Sequence, residues 1–259
     1  MPPRIVLTSI GPDDRELTVT GRNLRYLRDV LRLAPGEEVT VLDGRGLALK
    51  TVVRRAGRKH LVLDVMGICS LETESPLRLV LIQGLLKGDK MDLVIQKTTE
   101  LGINEIFPVV TGRSQVRFSR KLDHWRRVAE EATRQSGRLS VPEVHDVCRL
   151  EDVFGCIGDG ALKVLFHEGE EKGLDLPVQV KCPVAYYMVG PEGGFTADEV
   201  QQAEAEGFVT GGLGRRILRA ETASIAGAAI LQFVFGDLAP TASALSTGST
   251  AGRRSEAAG

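Results

Sequence analysis

From residue 77 onward, strand-favouring runs alternate with helix-favouring runs, and that alternation restricts the chain's possible folds more than any other feature. The strand-like runs are 77–83, 105–109, 162–166 and 185–189, and the helical ones are 91–101, 122–135, 196–206 and 222–235. Strands separated by helices pair in parallel, because the intervening helix supplies the crossover that parallel neighbours need. The expected architecture is therefore α/β, a parallel sheet covered by helices.

The first seventy or so residues have a different rhythm. Runs at 37–42, 47–54 and 60–65 read as short strands, with Asp43-Gly44-Arg45-Gly46 turning between the first two. Leu24, Leu27, Val30 and Leu31 recur at helical spacing within 21–33. The pattern describes a small β-barrel with one helix. The polar stretch Ser70-Leu71-Glu72-Thr73-Glu74-Ser75-Pro76 marks the boundary, giving units 1–74 and 75–238. The tail, 239–259, is rich in Ala, Ser, Gly and Thr and lacks aromatics, a composition expected to stay disordered.

Composition excludes several function classes. No apolar run is long enough to cross a bilayer, and the opening Met1-Pro2-Pro3-Arg4 has no signal-peptide core, so no membrane partner is expected. The four cysteines are scattered, without C-x-x-C pairs or metal-ligand spacing to the four histidines. A reduced, cytoplasmic chain without a metal is the expectation. The net charge of −1 conceals an asymmetry. Residues 1–140 carry 24 Lys+Arg against 17 Asp+Glu, a balance of +7, whereas 141–259 balance to −8. Within 111–138 there are eight basic residues and three acidic ones. Such a segment either attracts a phosphate backbone or is an ordinary solvated helix face.

Two motifs carry chemistry. Gly190-Pro191-Glu192-Gly193-Gly194 follows a buried-looking strand and precedes Thr196-Ala197-Asp198-Glu199, a capping box that opens a helix. Open α/β sheets bind ligands at the carboxyl ends of their strands, and glycines there allow close backbone approach. An ordinary tight turn is the alternative. No G-x-x-x-x-G-K-[ST] occurs, and no G-x-G-x-x-G follows the first strand of the α/β unit, so P-loop and dinucleotide-binding folds are disfavoured. The second motif, Leu213 through Ala223, runs into the apolar, small-residue helix 222–235. Arg219 and Glu221 stand at the mouth of that buried helix, where charges need partners, either a ligand or each other.

In these pieces the chain resembles the family of 16S rRNA uracil-N3 methyltransferases, RsmE. The resemblance rests on Gln83-Gly84-Leu85-Leu86-Lys87-Gly88-Asp89-Lys90-Met91-Asp92 and Gln96-Lys97-Thr98-Thr99-Glu100-Leu101-Gly102. It continues through Arg113-Ser114, the stretch from Trp125 to Arg138, Val141-Pro142, the glycine loop and the motif from Leu213 to Ala223. It covers roughly the first 237 residues in the family's order.

The resemblance implies a PUA-like RNA-binding β-barrel followed by a SPOUT α/β domain with a deep C-terminal trefoil knot. The implied cofactor is S-adenosyl-L-methionine (SAM), held by Phe166, His167, Glu168, Gly190, Pro191, Glu192, Gly193, Gly194, Leu213, Gly214, Arg215, Ile217 and Leu218. His167 ranks below the glycines, since strand-end residues are commonly structural. Implied catalytic residues are Arg219 and Arg113 for charge stabilisation and Glu221 as orienting group or base, with Glu100 on the substrate side. Arg117, Arg126, Arg127, Arg134 and Arg138 are the expected RNA contacts. The implied partners are 16S rRNA within the assembled 30S subunit and a second copy of the chain in a homodimer. Two other readings stay open: a SPOUT methyltransferase for another RNA position, and a non-catalytic RNA-binding assembly factor.

Overall fold

The computed structural model describes residues 2–158, 160–167, 176 and 182–239. Glu168 and the tail from 240 onward lie outside the described residues.

The chain opens with β1 (Arg4–Val6), β2 (Glu16–Val19), α1 (Gly21–Arg25), β3 (Glu38–Leu42), β4 (Ala48–Ala56) and β5 (Leu61–Ile68). The strands form one sheet in the order β1-β3-β4-β5-β2, with only the β1–β3 pair parallel. Alternation selects the inner face: in β2, Leu17 and Val19 are buried while Glu16 and Thr18 are exposed. Register shifts at Lys50/Thr51 and Val53/Arg55 of β4 add twist and curl the sheet around Leu27, Val39, Val41, Leu49, Leu61 and Leu63. The helix expected over 21–33 is shorter. α1 ends at Arg25 and passes into a single π-turn, Tyr26–Val30, after which Arg32 takes a positive φ of 56°. Leu24 and Leu27 are buried, but Val30 is 69% exposed, so half of the apolar spacing that suggested a longer helix faces water.

The second unit contains β6 (Arg78–Gly84), α2 (Lys90–Glu100), β7 (Glu105–Val110), α3 (Leu122–Ser136), β8 (Glu143–Val144), β9 (Cys148–Arg149) and α4 (Leu150–Phe154). It continues with β10 (Leu162–Phe166), β11 (Val184–Val189), α5 (Ala197–Ala205), β12 (Val209–Gly211) and α6 (Ala220–Phe235). The strand order is β12-β10-β11-β6-β7-β8, with β9 also on β7, and every pairing is parallel. β6 is apolar almost throughout because both of its faces are covered. Leu79 and Leu81 enter the core beneath α2, α3 and α6, whereas Val80 and Ile82 enter the opposite core with Tyr186, Met188 and Phe195. From β6 the chain moves outward to β7 on one side and later returns to β11 on the other. The strand order therefore reverses there, where open α/β sheets leave a crevice.

The two sheets are joined through side chains that the sequence placed elsewhere. Arg138, expected to contact RNA, is 4% exposed. Its guanidinium donates to the carbonyls of Thr99 (3.1 Å) and Ile103 (2.6 Å) and pairs with Glu74 at 2.7 Å. Glu74 also accepts from the Leu139 and Ser140 amides. Arg134 is likewise buried, lies 4.5 Å over the Tyr26 ring and contacts Glu131. Neither guanidinium presents a free face to a phosphate, so both leave the RNA-facing set and act as struts between the units. The polar stretch before Pro76 is part of this junction, with Leu71 packed beside Val6, Leu42 and Leu139.

Candidate active site

A cavity of about 1200 Å³ opens at the carboxyl ends of β10 and β11. Phe166 and His167 form one wall, and Val189 with the glycine loop forms a second. Residues 212–219 make a third, and Ala220 and Ala223 in the first turn of α6 close the base. Of the residues expected to hold a cofactor, Phe166, His167, Gly190, Pro191, Glu192, Gly194, Leu213, Gly214, Arg215, Ile217 and Leu218 line the cavity. Gly193 does not: a β-carbon there would meet the Arg113 side chain at 3.2 Å, so it is small to seat the 111–114 loop.

The loop takes its shape from polar groups buried beneath it. Gln83, fully buried at the end of β6, donates to the carbonyls of Gly84 (3.0 Å) and Val189 (3.3 Å) and accepts from the Ser224 hydroxyl. The Tyr187 hydroxyl donates to the Ser224 carbonyl at 3.1 Å. Two strands and α6 are thereby tied at the cavity floor, with their buried polar groups satisfied. The chain passes so close that a β-carbon at Gly84 would lie 2.4 Å from the Pro191 nitrogen. As expected, Thr196 and Glu199 form a reciprocal cap that starts α5 immediately after the loop.

The charges are asymmetrically placed. Lys90 opens α2, and its ammonium lies 2.8 Å from Glu192 and 3.8 Å from Glu221. The hydrogen bond to Glu192 holds the Lys90 ammonium above the ordinary lysine value. Burial pushes the Glu192 carboxyl up, yet Lys90 and nearby amides bring it below its ordinary value. Glu221 is 8% exposed, and its Oε2 accepts no hydrogen bond. Arg219, one residue before α6, is exposed on the cavity wall. Arg113, on the loop after β7, donates to the Gly193 carbonyl at 3.1 Å behind the glycine loop and does not line the cavity.

Glu100 does not join this group. It ends α2, paired with Lys97, about 15 Å from Lys90 at roughly 1.5 Å of rise per residue. Within one chain the expected substrate-side role has no geometry to support it. Arg117, Arg126 and Arg127 remain exposed, each with one backbone carbonyl as partner.

Lys90, Phe195, Gly212 and Ala223 also line the cavity and were not expected there. Lys90 lay within the recognised run from Gln83 to Asp92, but nothing in its spacing joined it to carboxylates more than a hundred residues later. A second basic face was also missed. Arg22, Arg25, Arg58 and Lys59 are exposed on α1 and the β4–β5 turn, and Arg28 bridges the two by donating to the Arg58 carbonyl.

The cavity suits a nucleoside-sized ligand with a charged end. Its walls mix apolar rings with backbone amides, and a β-carbon at Gly190 would close to 3.1 Å on Gly194; Glu221, buried behind Lys90, does not itself line the cavity. The family model described as RNA methyltransferase domain matches residues 73–232, and that of the RNA methyltransferase PUA domain matches 19–66. Fold and site together thus define an RNA methyltransferase. The ribosomal RNA small subunit methyltransferase E of Bacillus subtilis is 30% identical over 229 residues, covering 80% of this chain and 86% of that protein. The protein of that name from Neisseria gonorrhoeae, solved bound to S-adenosyl methionine, superposes with a TM-score of 0.86 at 32% identity, covering 92% of this chain and all of that one. A Legionella pneumophila protein solved with the bound cofactor SAM gives 0.84 at 30% identity with the same coverage. The chain belongs to the ribosomal RNA small subunit methyltransferase E family. Its α/β unit is a SPOUT domain and its curled sheet a PUA-like domain, as the resemblance implied.

Proposed function

We propose that the chain binds SAM in the cavity and methylates N3 of a specific uridine in 16S rRNA of the small ribosomal subunit. The observation that carries this reading is the Glu221 carboxylate, buried next to the lining residue Ala220 and 3.8 Å from Lys90, with an Oε2 that accepts no hydrogen bond. When bound, SAM supplies an electrophilic methyl group on a positively charged sulfur. The protein's task is the N3 proton, because neutral uracil has no nucleophilic lone pair at N3. In this reading Glu221 accepts that proton, and Arg219 stabilises the charge spreading onto the flanking carbonyl oxygens. Phe166 and the backbone of 190–194 and 213–218 would hold the cofactor, and the knot expected of a SPOUT domain would keep those loops together. Arg126, Arg127 and the α1 face suit the rRNA backbone. Ile230 and Phe233, exposed one turn apart on α6, suit a second copy of the chain. Sedimentation of the full chain tests that pairing.

The decisive experiment is single-turnover methyl transfer to unmodified small subunits and to naked rRNA, with the product mapped by nucleotide. The rate should rise with pH, and 5-fluorouridine at the target, whose N3 is more acidic, should move the rising limb to lower pH. Arg219→Ala should slow transfer at saturating SAM far more than it weakens SAM binding. Methylation at another nucleotide, or a limb unmoved by fluorine, would overturn the assignment.

A further inference from the structure

α2 and α6 begin side by side at the cavity, and the first residue of one faces the second residue of the other. Lys90 Nζ stands 2.8 Å from Glu192 on the glycine loop and 3.8 Å from Glu221 on α6. Glu192 is fixed on a second side, since its Oε1 also accepts from the Lys87 amide at 3.3 Å. Glu221 has no comparable anchor: its Oε2 is buried without a hydrogen bond, and the ammonium at 3.8 Å is its ion-pair partner among the described residues. The charged groups around the ammonium are Glu192, Glu221 and Arg219, and Arg219 opposes its positive charge.

We infer that Lys90 is a positioning residue for methyl transfer, one ammonium that couples the cofactor loop to the carboxylate taking the N3 proton. The inference rests on the function proposed above and deepens it. A carboxylate buried alone is costly to keep charged, and a cation beside it lowers that cost. Lysine suits this position, because its ammonium has three donors and can serve both partners. Coupling follows from the sharing. When the loop settles on its ligand and holds Glu192, the ammonium is drawn into the place from which it orients Glu221. Loop order and the readiness of the proton acceptor then rise together.

The test is a double-mutant cycle read in single-turnover methyl transfer at saturating SAM, with SAM affinity measured separately by calorimetry. Lys90→Met should weaken SAM binding only a few-fold, about as much as Glu192→Gln, while lowering the rate by about thirtyfold or more. Lys90→Arg, which keeps the charge, should restore most of the rate. In the Lys90→Met background, Glu221→Gln should cost far less than it does alone, because the two residues act as a unit. A loss confined to SAM affinity, additive effects of the two substitutions, or an arginine variant as slow as the methionine one would each overturn the inference. Melting temperatures within a few degrees of wild type establish that the variants are folded. If the wild-type protein itself leaves uridine N3 unmethylated, the functional assignment fails, and the affinity and coupling measurements on whatever RNA it does methylate still judge Lys90.

Discussion

A β-carbon at Gly84 would stand 2.4 Å from both the nitrogen and Cδ of Pro191, a distance that backbone cannot accommodate without moving. Gly84 is outside the cavity, but Pro191 lines it. Gly84→Ala is therefore expected to weaken SAM binding by about tenfold or more with a loss of stability of about 1–3 kcal/mol, the usual scale of overpacking. Calorimetry and thermal melting check the two halves. Gly190 to Gly194 were legible in the sequence because a contiguous glycine loop between strand and helix has few other uses. Gly84 stood in a recognised motif, yet its reason is a contact formed across more than a hundred residues. Gly193 is the reverse case, expected to meet the cofactor but small for the sake of Arg113.

Helices show the same division between what periodicity reveals and what only packing supplies. α3 follows its predicted course because Trp125, Ala129, Ala132 and Thr133 mark one buried stripe. Arg126 and Arg127 are exposed on the same helix, and reversing both to Glu should weaken rRNA binding and reduce the salt slope by about two, leaving SAM affinity unchanged. Filter binding across a salt series tests this, and an unaltered slope would make the face merely solvated. In α6, a β-carbon at Gly227 would come within 2.6 Å of the Phe166 ring, which forms a wall of the cavity. Gly227→Ala adds helix propensity but should push that ring inward, so SAM affinity falls about tenfold by calorimetry. The strands β8, β9 and β12 had no legible pattern, since two or three residues cannot display a period.

Between the two sheets, Arg138 and Glu74 form the junction that charge counting misassigned. A guanidinium in a basic run looks like an RNA contact until its partner, 64 residues upstream, is known. Arg138→Ala removes bonds to Glu74, Thr99 and Ile103 together and should cost about 3 kcal/mol, lowering Tm by roughly 6–12 °C. Burial raises the Glu74 carboxyl, but Arg138 and the amides of Leu139 and Ser140 outweigh it and hold the group below its ordinary value of 4.5. A depressed acid stabilises the fold above that ordinary value and ceases to do so as pH falls through its lowered one. Wild-type stability should thus decline on acidification below about pH 4.5, and Arg138→Ala should flatten the part of that decline owed to Glu74. Denaturant melts from pH 6 down to about pH 3 compare the two slopes. That the chain builds two separate sheets was legible from the change of rhythm near Pro76. The way they lock was not, because it lies in side chains drawn from both.

The cavity draws on the start of α2, the ends of β10 and β11, the 212–219 loop and the first turn of α6, so its walls span most of the second unit's length. On a translating ribosome, such a pocket comes into being only when α6 has emerged and docked. A nascent chain still lacking α6 has its long strands but no floor beneath the ligand, no Glu221 and no Ser224 for Gln83 to receive. A SAM site built on this cavity is therefore closed to newly made protein until α6 is in place. A ligand bound there rewards only a chain whose α6 has docked and holds that helix in place thereafter.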